Sequence, residues 1–425
     1  MSNQSSQAEI VRNSLKRRYR KERRFRWYGI LAIFIALASL LTLFVDIIAK
    51  GHTGFIKTTI TLELDLDSEM MYLEDPTDAD ERSMADFNAP IIAALQEHFP
   101  EAESASEKRE LLRLVGNYAA NDISDRLKED PDLLDTTQTM EFLAHDRVSV
   151  YVKHADNPRY SIKLSDQQQE WVDELMEKGV IETGFNDVFF SRGDSREPAN
   201  AGALGAIVGS LLTMLVTLVI SFPVGIAAAV YLEEFAPKNR ITDFIEVNIN
   251  NLAAVPSIIF GLLGLAVFIG LFGMPRSVPL VGGLVLALMT LPTIIISSRA
   301  AIKSVPPSIR EAAEGIGASK MQVVLHHIVP LAMPGMLTGS IIGMAQALGE
   351  TAPLLLIGMV AFIVDVPDGF LDSATVLPVQ IYLWASSSEQ GFVELASAGI
   401  MVLLTFMISM NALAIWLRKR LERRW

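Results

Sequence analysis

One carboxylate, that of Glu350, stands inside a long apolar stretch in the second half of the chain. An ionisable side chain in such a place is a functional candidate, because burying a charge away from water is costly. Two roles are open for Glu350. It pairs with a neighbouring helix or a partner subunit, or it changes its partner or its proton during a cycle and so gates release. Gln346 and Thr351, close to Glu350 in the sequence, and Ser257, in an earlier apolar stretch, are further candidate pathway residues whose side chains can donate hydrogen bonds.

The polar groups within these apolar stretches are mainly hydrogen-bond donors without a full charge. The apolar stretches after the first hold almost no basic residue, and Arg299 falls at the end of one. Hydroxyls and backbone N–H groups freed at Pro- and Gly-broken helices therefore have to serve as donors. The hydroxyl candidates are Ser210, Thr213, Thr217, Ser221, Thr290, Thr293 and Ser340. Binding along such a path is weak, which suits a chain that has to release what it carries.

Several other kinds of chemistry are not expected. The chain holds no cysteine, which excludes disulfides, thiolate metal sites and cysteine nucleophiles. His98, His145 and His154 stand apart and fit a solvated surface better than a metal site, so neither a metal nor a cofactor is predicted. No glycine-rich loop with Lys and Ser or Thr occurs, so any ATP hydrolysis belongs to a separate subunit and the chain alone is not an enzyme.

A polar island between two apolar runs, Ser308–Pro330, is the most specific pattern in the chain. Pro306 and Pro307 end the preceding element, and Ser308 stands three residues before Glu311, an arrangement that predicts a capping box. Ala312 and Ala313 keep the helix thin, and Gly315 and Gly317 break or bend it. Residues Met321–Ile328 predict a second amphipathic turn, ended by Pro330 and Pro334. The pattern predicts two short helices parallel to the membrane that form a protruding surface for a cleft in another protein.

The elements around these residues are membrane helices, since 50% of the chain is apolar and a span needs about 20 apolar residues. The third of the six candidates is the weakest, because its first turn is polar and Pro256 interrupts it. The predicted spans are Trp27–Ile48, Leu204–Leu232, Phe244–Phe272, Leu280–Ser298, Gly335–Val364 and Leu395–Leu417. An uncleaved first span is favoured over a signal peptide, because the apolar run is long and no clear cleavage site follows it.

Basic residues beside the spans predict that both chain ends are cytoplasmic. The flanks assigned to the cytoplasm are rich in Lys and Arg, whereas Arg276 is the only basic residue in the opposite short loops, and the loop Asp365–Glu394 has none. The cytoplasmic set is Lys16, Arg17, Arg18, Arg20, Lys21, Arg23, Arg24, Arg26, Lys238, Arg240, Arg299, Lys303, Arg310, Lys320, Arg418, Lys419, Arg420, Arg423 and Arg424.

An acidic segment is inserted after the first span. Residues 51–200 hold 33 Asp and Glu against 14 Lys and Arg, a net charge of −19 in a chain of −13. The alternation Thr58–Leu66 predicts a strand, and Arg147–Val152 predicts a second. Helical patterns cover Ala89–Phe99, Lys108–Leu127 and Gln167–Lys178. We expect a small α+β domain outside the cytoplasm, with its carboxylates as a solubilising face, and no support exists for nucleic-acid binding.

The polar island resembles the conserved cytoplasmic loop of ABC-importer permeases. Glu311, Ala312, Ala313, Gly317 and Pro330 fall on the family's positions, whereas His327 and Val329 replace the usual isoleucine and leucine. Over about residues 200–420 the chain resembles the PstA family, the permease of the phosphate importer. The matching segments are Gly225–Glu234, Val255–Leu262, Gly349–Leu355 and Leu377–Tyr382. Gln346 stands where an arginine is expected, and the acidic segment lies outside the resemblance.

The resemblance implies an all-α polytopic membrane protein with six transmembrane helices, a type I ABC importer permease core, plus the inserted α+β domain. The expected organisation is a basic cytoplasmic tail 1–26, a first span 27–48, a periplasmic domain 49–200, a core 201–417 with a coupling loop 299–334, and a basic tail 418–425. Such a subunit lies in the inner membrane and forms half of a phosphate pathway.

The implied partners are a second, PstC-like permease, a PstB-like ATPase dimer and a PstS-like periplasmic phosphate-binding protein. The alternatives are a permease for another oxyanion such as sulfate or molybdate, a membrane-anchored sensor and a secondary transporter. The run Gly349–Leu355 argues against the first. The second half of the chain consists of membrane crossings, which argues against a sensor, and neither inverted repeats nor paired intramembrane charges support a secondary transporter.

Overall fold

The computed structural model describes residues 2–155 and 163–421. The chain divides into two compact units, with the boundary in the sequence after Lys50. Arg423, Arg424 and the side chain of Lys16, which entered the charge argument, lie outside the described part. The first unit belongs to one helix, α1 (Ser2–Gly51). The stretch Arg17–Phe55 is long and apolar enough to cross a membrane, and its apolar side chains are exposed within the isolated chain.

The second unit begins with the inserted segment, residues 51–200, which combines a three-stranded sheet with short helices. Strand β1 lies in the centre, antiparallel to β2 on one side and to β3 on the other. In chain order the elements are β1 (Ile56–Asp65), α2 (Ser68–Met71), α3 (Ala79–Met84), α4 (Asn88–His98), α5 (Ala105–Leu112), α6 (Ala119–Glu129), β2 (Thr137–Leu143), α7 (Asp146–His154), α8 (Asp166–Glu177), β3 (Ile181–Phe185) and α9 (Val188–Ser191). Short 3-10 turns cover His52–Phe55, Pro131–Leu133 and Pro198–Asn200.

The segment has a hydrophobic core of its own, built on one face of the sheet. Ile60, Leu62 and Leu64 of β1 are almost fully buried, whereas the residues between them are exposed. This alternation is the period of two that a half-buried strand requires. The strand predicted for this stretch is therefore confirmed, as are the helices predicted around α4 and α8.

The second predicted strand is wrong, because Arg147–Val152 lies in helix α7. His145 caps this helix by accepting a hydrogen bond from the backbone N–H of Arg147 at 3.3 Å. The stretch predicted as one helical region, Lys108–Leu127, is two helices, α5 and α6, separated at Gly116, whose N–H donates to the Leu143 carbonyl at 2.8 Å. Short β-branched runs fit strand and helix equally, so packing decides between them.

The remaining residues form the membrane part of the second unit. Its helices are α10 (Leu204–Val230), α11 (Arg240–Ala253), α12 (Ser257–Gly264), α13 (Pro279–Lys303), α14 (Pro307–Gly315), α15 (Lys320–Val323), α16 (Val329–Gly349), α17 (Ala352–Leu356), α18 (Leu377–Ala385) and α19 (Gln390–Leu421). Three π-helical stretches, Tyr231–Phe235, Leu265–Leu271 and Val324–Ile328, follow α10, α12 and α15. Within the described residues, five helices are long and apolar enough to cross a membrane, and the bent pair α11–α12 makes a sixth if it is one span.

Two predicted spans differ from the structure in their form. The third is bent by 102° between α11 and α12, where Pro256 precedes Ser257. The fifth was predicted as Gly335–Val364, but the long helix runs over Lys320–Gly349 and stops before Glu350. Pro353 fits this stop, because it lacks the N–H that would bond to the Gly349 carbonyl in a continuous helix, and its ring would clash with that carbonyl. The predicted fold class, a helical membrane protein with a small inserted α+β part, is confirmed.

Candidate functional site

Helix α14 carries the residues of the polar island, and its two ends are fixed by different means. At its start Pro306 is the cap residue and Pro307 the first helical residue, a position that suits proline. No side chain caps this end, so the capping box predicted for Ser308 and Glu311 is wrong. A capping box does occur one element later, between Ser319 and Gln322 at the start of α15.

Gly317 ends α14 in a way that only glycine adopts easily. Its φ is +86°, in the left-handed region, where a side chain is strained. Its N–H donates to the Glu314 carbonyl at 2.9 Å, and the Ala318 N–H donates to the Ala313 carbonyl at 3.1 Å. These two bonds form a Schellman motif, which satisfies carbonyls that a helix end leaves open. The chain turns here into α15, which begins the long helical path Lys320–Gly349, so the first of the two predicted short helices is found and the second is not.

The second half of the loop does not stop where it was predicted to stop. Pro330 and Pro334 lie inside a continuous helical path from Lys320 to Gly349. The π-helical stretch Val324–Ile328 directly precedes Pro330, so the wider turn accommodates a ring that a regular α-helix accepts poorly. The predicted family position Pro330 is half-buried at the start of α16.

The surface of α14 divides into a buried anchor and an exposed tip. Ala313 is 4% exposed and packs in an apolar cluster with the ends of neighbouring helices. Glu311 and Ala312 face outward. Just beyond the helix, Ile316 is 83% exposed, which is unusual for a large apolar side chain. The loop therefore has a bare, partly apolar end and a firmly packed base.

Ion pairs join the helix ends around the base of this loop, a feature that sequence reasoning missed. Arg310 of α14 contacts Glu234, just after α10, at 2.6 Å. Arg299 of α13 contacts Glu246 of α11 at 2.6 Å and Glu233 at 3.4 Å. The signal in the sequence was the presence of acidic and basic residues at the ends of neighbouring apolar runs, but the sequence argument used only the basic residues, to assign orientation.

Arg310 also binds the backbone at the end of α13. Its guanidinium donates to the Val305 carbonyl at 3.1 Å and to the Ile302 carbonyl at 3.3 Å. Carbonyls at a helix C-terminus have no partner inside the helix, so an arginine there completes their hydrogen bonding. One side chain thus connects α14 to the end of α13 and, through Glu234, to the end of α10.

The predicted pathway residues lie at two helix breaks. Glu350 is the extended cap residue after α16 and is half-buried rather than enclosed in a helix, Thr351 precedes α17, and Gln346 is exposed near the end of α16. Ser257 is the half-buried first residue of α12.

Helices α12 and α17 lie against each other and run in the same direction. A Cβ added to Gly261 would lie 2.6 Å from Cα of Pro353, and one added to Gly264 would lie 3.2 Å from the Ile357 side chain. Because both contacts advance along both helices together, the N-terminal ends of the two helices point the same way. The structure therefore places the end of α12 that holds Ser257 on the side of α17 that begins with Thr351. Free N–H groups at such ends favour negative charge.

A second buried charge cluster joins the inserted segment to α19. The Glu394 carboxylate, 3% exposed, lies 2.8 Å from Nε2 of His154 and 3.6 Å from Nζ of Lys153. The solvated-surface interpretation is wrong for His154, since it is 7% exposed. Burial, together with Glu394 and Glu389, raises the pKa of Asp146 to about 6. Burial lowers the pKa of Lys153, and the attraction of Glu394 opposes that shift.

Comparison with known proteins gives two family matches. Residues 12–161 match a domain of unknown function (DUF3333), and residues 221–425 match the binding-protein-dependent transport system inner membrane component family. Among solved structures, the MetNI methionine ABC transporter matches with a TM-score of 0.39 at 18% identity, over 51% of this chain and 95% of that one.

Curated relatives give a more specific match. The phosphate transport system permease protein PstA 1 of Mycobacterium tuberculosis is 30% identical over 55% of this chain and 76% of its own length. PstA of Mycobacterium leprae is 33% identical over 50% of this chain and 69% of its own length. The probable ABC transporter permease protein YqgI of Bacillus subtilis is 33% identical over 42% of this chain, but the match spans only 59% of that protein. The chain belongs to the PstA family of binding-protein-dependent transport system inner membrane components.

Proposed function

We propose that this chain is a permease subunit of an ATP-driven phosphate importer and forms half of the translocation pathway. The observation that carries the proposal is the loop around α14: its tip is exposed, whereas Arg310 at its base binds Glu234 beyond the end of α10 and two carbonyls at the end of α13. A loop that only reconnects two spans needs no such attachment. A loop that receives force from another protein does, because the force has to reach the helices of the pathway.

The chain by itself provides neither ATP hydrolysis nor a complete pathway, so the proposal includes partners. A PstC-like permease completes the pathway, a PstB-like ATPase dimer binds the loop at α14, and a PstS-like binding protein delivers phosphate. The exposed apolar faces of α11 and α12, which include Phe244 and Ile258, offer a surface for the second permease. Both chain ends then lie in the cytoplasm and residues 49–200 in the periplasm, as the basic flanks indicate.

Phosphate passes the break between α16 and α17 in this proposal. N–H groups at the starts of α12 and α17, with the side chains of Ser257, Thr351 and Gln346, donate hydrogen bonds to it. Glu350 lies beside these donors and repels the anion when ionised. Its role is to gate release by changing its partner or its proton, and direct ligation is excluded unless the carboxyl is protonated.

Phosphate uptake by the reconstituted complex tests the coupling role. Glu311→Ala and Gly317→Val should lower ATP-driven uptake strongly while leaving membrane insertion unchanged. Glu314→Ala is the matched control, because this exposed carboxylate lies on the same helix outside the family's loop positions. Competition by sulfate and molybdate in the same vesicles tests the substrate. Normal uptake in both loop variants would defeat the coupling assignment, and preferred uptake of another oxyanion would defeat the phosphate assignment.

A further inference from the structure

Three phenylalanine rings form a row on the inserted segment. The rings of Phe55 and Phe190 stack at 5.9 Å with an interplanar angle of 3°, and those of Phe190 and Phe185 stack at 5.9 Å with an angle of 7°. Exposure increases along the row, from half-buried Phe55 to 39% for Phe190 and 65% for Phe185. Phe189, fully buried, meets the rings of Phe55 and Phe190 edge-on. The row therefore has a rigid base and a bare end.

The position of the row is fixed at the end of a membrane-spanning helix. The Ala203 N–H donates to the Phe189 carbonyl at 2.7 Å, and the Leu204 N–H donates to the Arg192 carbonyl at 3.1 Å. These bonds attach α9 to the first residues of α10. The Phe189 ring also lies 6.1 Å from that of Trp384 in α18. The phenylalanine row consequently lies at the height where α10 leaves the apolar part of the membrane.

The chemistry around the row is that of a membrane–water interface. Arg192, two residues after Phe190, is exposed and its guanidinium donates to the Asn200 side chain at 3.1 Å, and the guanidinium of Arg196 lies 5.6 Å from the ring of Phe362, itself 46% exposed. Aromatic side chains and arginines at the end of a span are typical of residues that meet lipid headgroups. The nearby carboxylate of Asp187 is neutralised by Lys57 at 2.8 Å, whereas Glu182 remains exposed.

We propose that Phe185 and Phe190 enter the headgroup region of the leaflet on the side where the inserted segment lies. A lipid surface is the occupant that fits, because the rings are bare and lie at the end of a span, and the exposed Arg192 and Arg196 follow them in the same segment. This contact holds the inserted segment against the bilayer and fixes its depth relative to the lipid headgroups. This inference is independent of the transported substrate.

Site-directed spin labelling tests the proposal directly, since the chain contains no cysteine. Phe185→Cys and Phe190→Cys variants of the full chain are labelled with a nitroxide in nanodiscs of phosphatidylethanolamine and phosphatidylglycerol. Met84→Cys is the matched control, because Met84 is 76% exposed on the same segment. Phe185 pairs with Ile56 at one end of β1, whereas Met84 follows the other end, which is about 30 Å away along a ten-residue strand.

Collision with oxygen, which concentrates in lipid, and with nickel-EDDA, which stays in water, gives the readout. Labels at 185 and 190 should collide several-fold more with oxygen than with nickel-EDDA, and the label at 84 should show the reverse. Phe362→Cys provides a third position if a row variant fails to fold. Labels at 185 and 190 that are as open to nickel-EDDA as the label at 84 would overturn the proposal. So would labels that lose contact with both quenchers only when a purified extracytoplasmic binding protein is added.

Discussion

Removal of the Arg310 side chain should detach α14 from the membrane helices without unfolding the protein. In Arg310→Ala, Glu234, whose side chain is 9% exposed, loses its partner, the Val305 carbonyl loses the guanidinium donor, and the Ile302 carbonyl keeps the Val305 N–H at 3.2 Å. Breaking a fully buried ion pair costs about 3–5 kcal/mol and an exposed pair less than about 1 kcal/mol. The Arg310 side chain is 26% exposed, so an intermediate loss of about 2 kcal/mol is expected.

That loss has a measurable effect on coupling. Because about 1.4 kcal/mol corresponds to a factor of ten, the detached form of α14 should become about 30-fold more populated. Hydrogen exchange of residues 305–319 should rise accordingly, and more ATP should be hydrolysed for each phosphate taken up by proteoliposomes. Glu314→Gln, on the exposed side of the same helix, should change neither quantity.

A double-mutant cycle separates the ion pair from the backbone bonds. Glu234→Gln removes the charge but leaves the bonds from Arg310 to the two carbonyls, so its effect should be smaller than that of Arg310→Ala. The double variant should be less affected than Arg310→Ala, because Glu234→Gln also removes the carboxylate that Arg310→Ala leaves buried without its partner. Additive effects, or unchanged exchange in Arg310→Ala, would refute the reasoning.

Three further predictions concern single residues. Gly317→Ala should lower the free energy of unfolding by about 1 kcal/mol, because the φ of Gly317 is +86°. Gly315→Ala should not lower it, because Gly315 lies inside α14 with open space around it. Urea unfolding of the two variants measures the difference. Asp146 has a pKa of about 6 in the folded chain against 3.8 normally, so folding favours its protonated form and that stabilisation is lost as pH rises through about 6. Asp146→Asn should therefore raise stability at pH 7 by about 3 kcal/mol and flatten its pH dependence between pH 4 and 6, and thermal unfolding over that range checks the sign. Glu350→Gln should lower phosphate uptake more than complex assembly, and wild-type uptake would remove Glu350 from the cycle.

Local patterns predicted those parts of the fold that depend on near neighbours. The alternation in β1 arises because successive side chains point to opposite faces of the sheet and only one face lies on the core. The left-handed Gly317 follows from the need to end one helix and begin the next within a few residues. Both features are decided within one turn or strand, so the sequence alone is sufficient for them.

The errors arose where distant residues decide the outcome. His154 was placed on a solvated surface, yet its partner Glu394 lies 240 positions later in the chain. Pro330 was expected to end a helix, but the π-helical stretch before it keeps the path continuous. The pairs of Arg310 and Arg299 join helices that sequence periodicity treats separately. No local pattern specifies which flanking charges meet.

Helix α10 connects the loop at α14 to the inserted segment. At one end, Glu234 follows the helix and holds α14 through Arg310. At the other, the Leu204 N–H is bonded to the Arg192 carbonyl of the inserted segment. A helix of 27 residues is about 40 Å long and transmits displacement along its axis well, except where its ladder is interrupted. Pro223 is that interruption, since its ring removes a hydrogen bond in the helix interior. We therefore expect movement of α14 to reach the inserted segment as a tilt of α10 about Pro223.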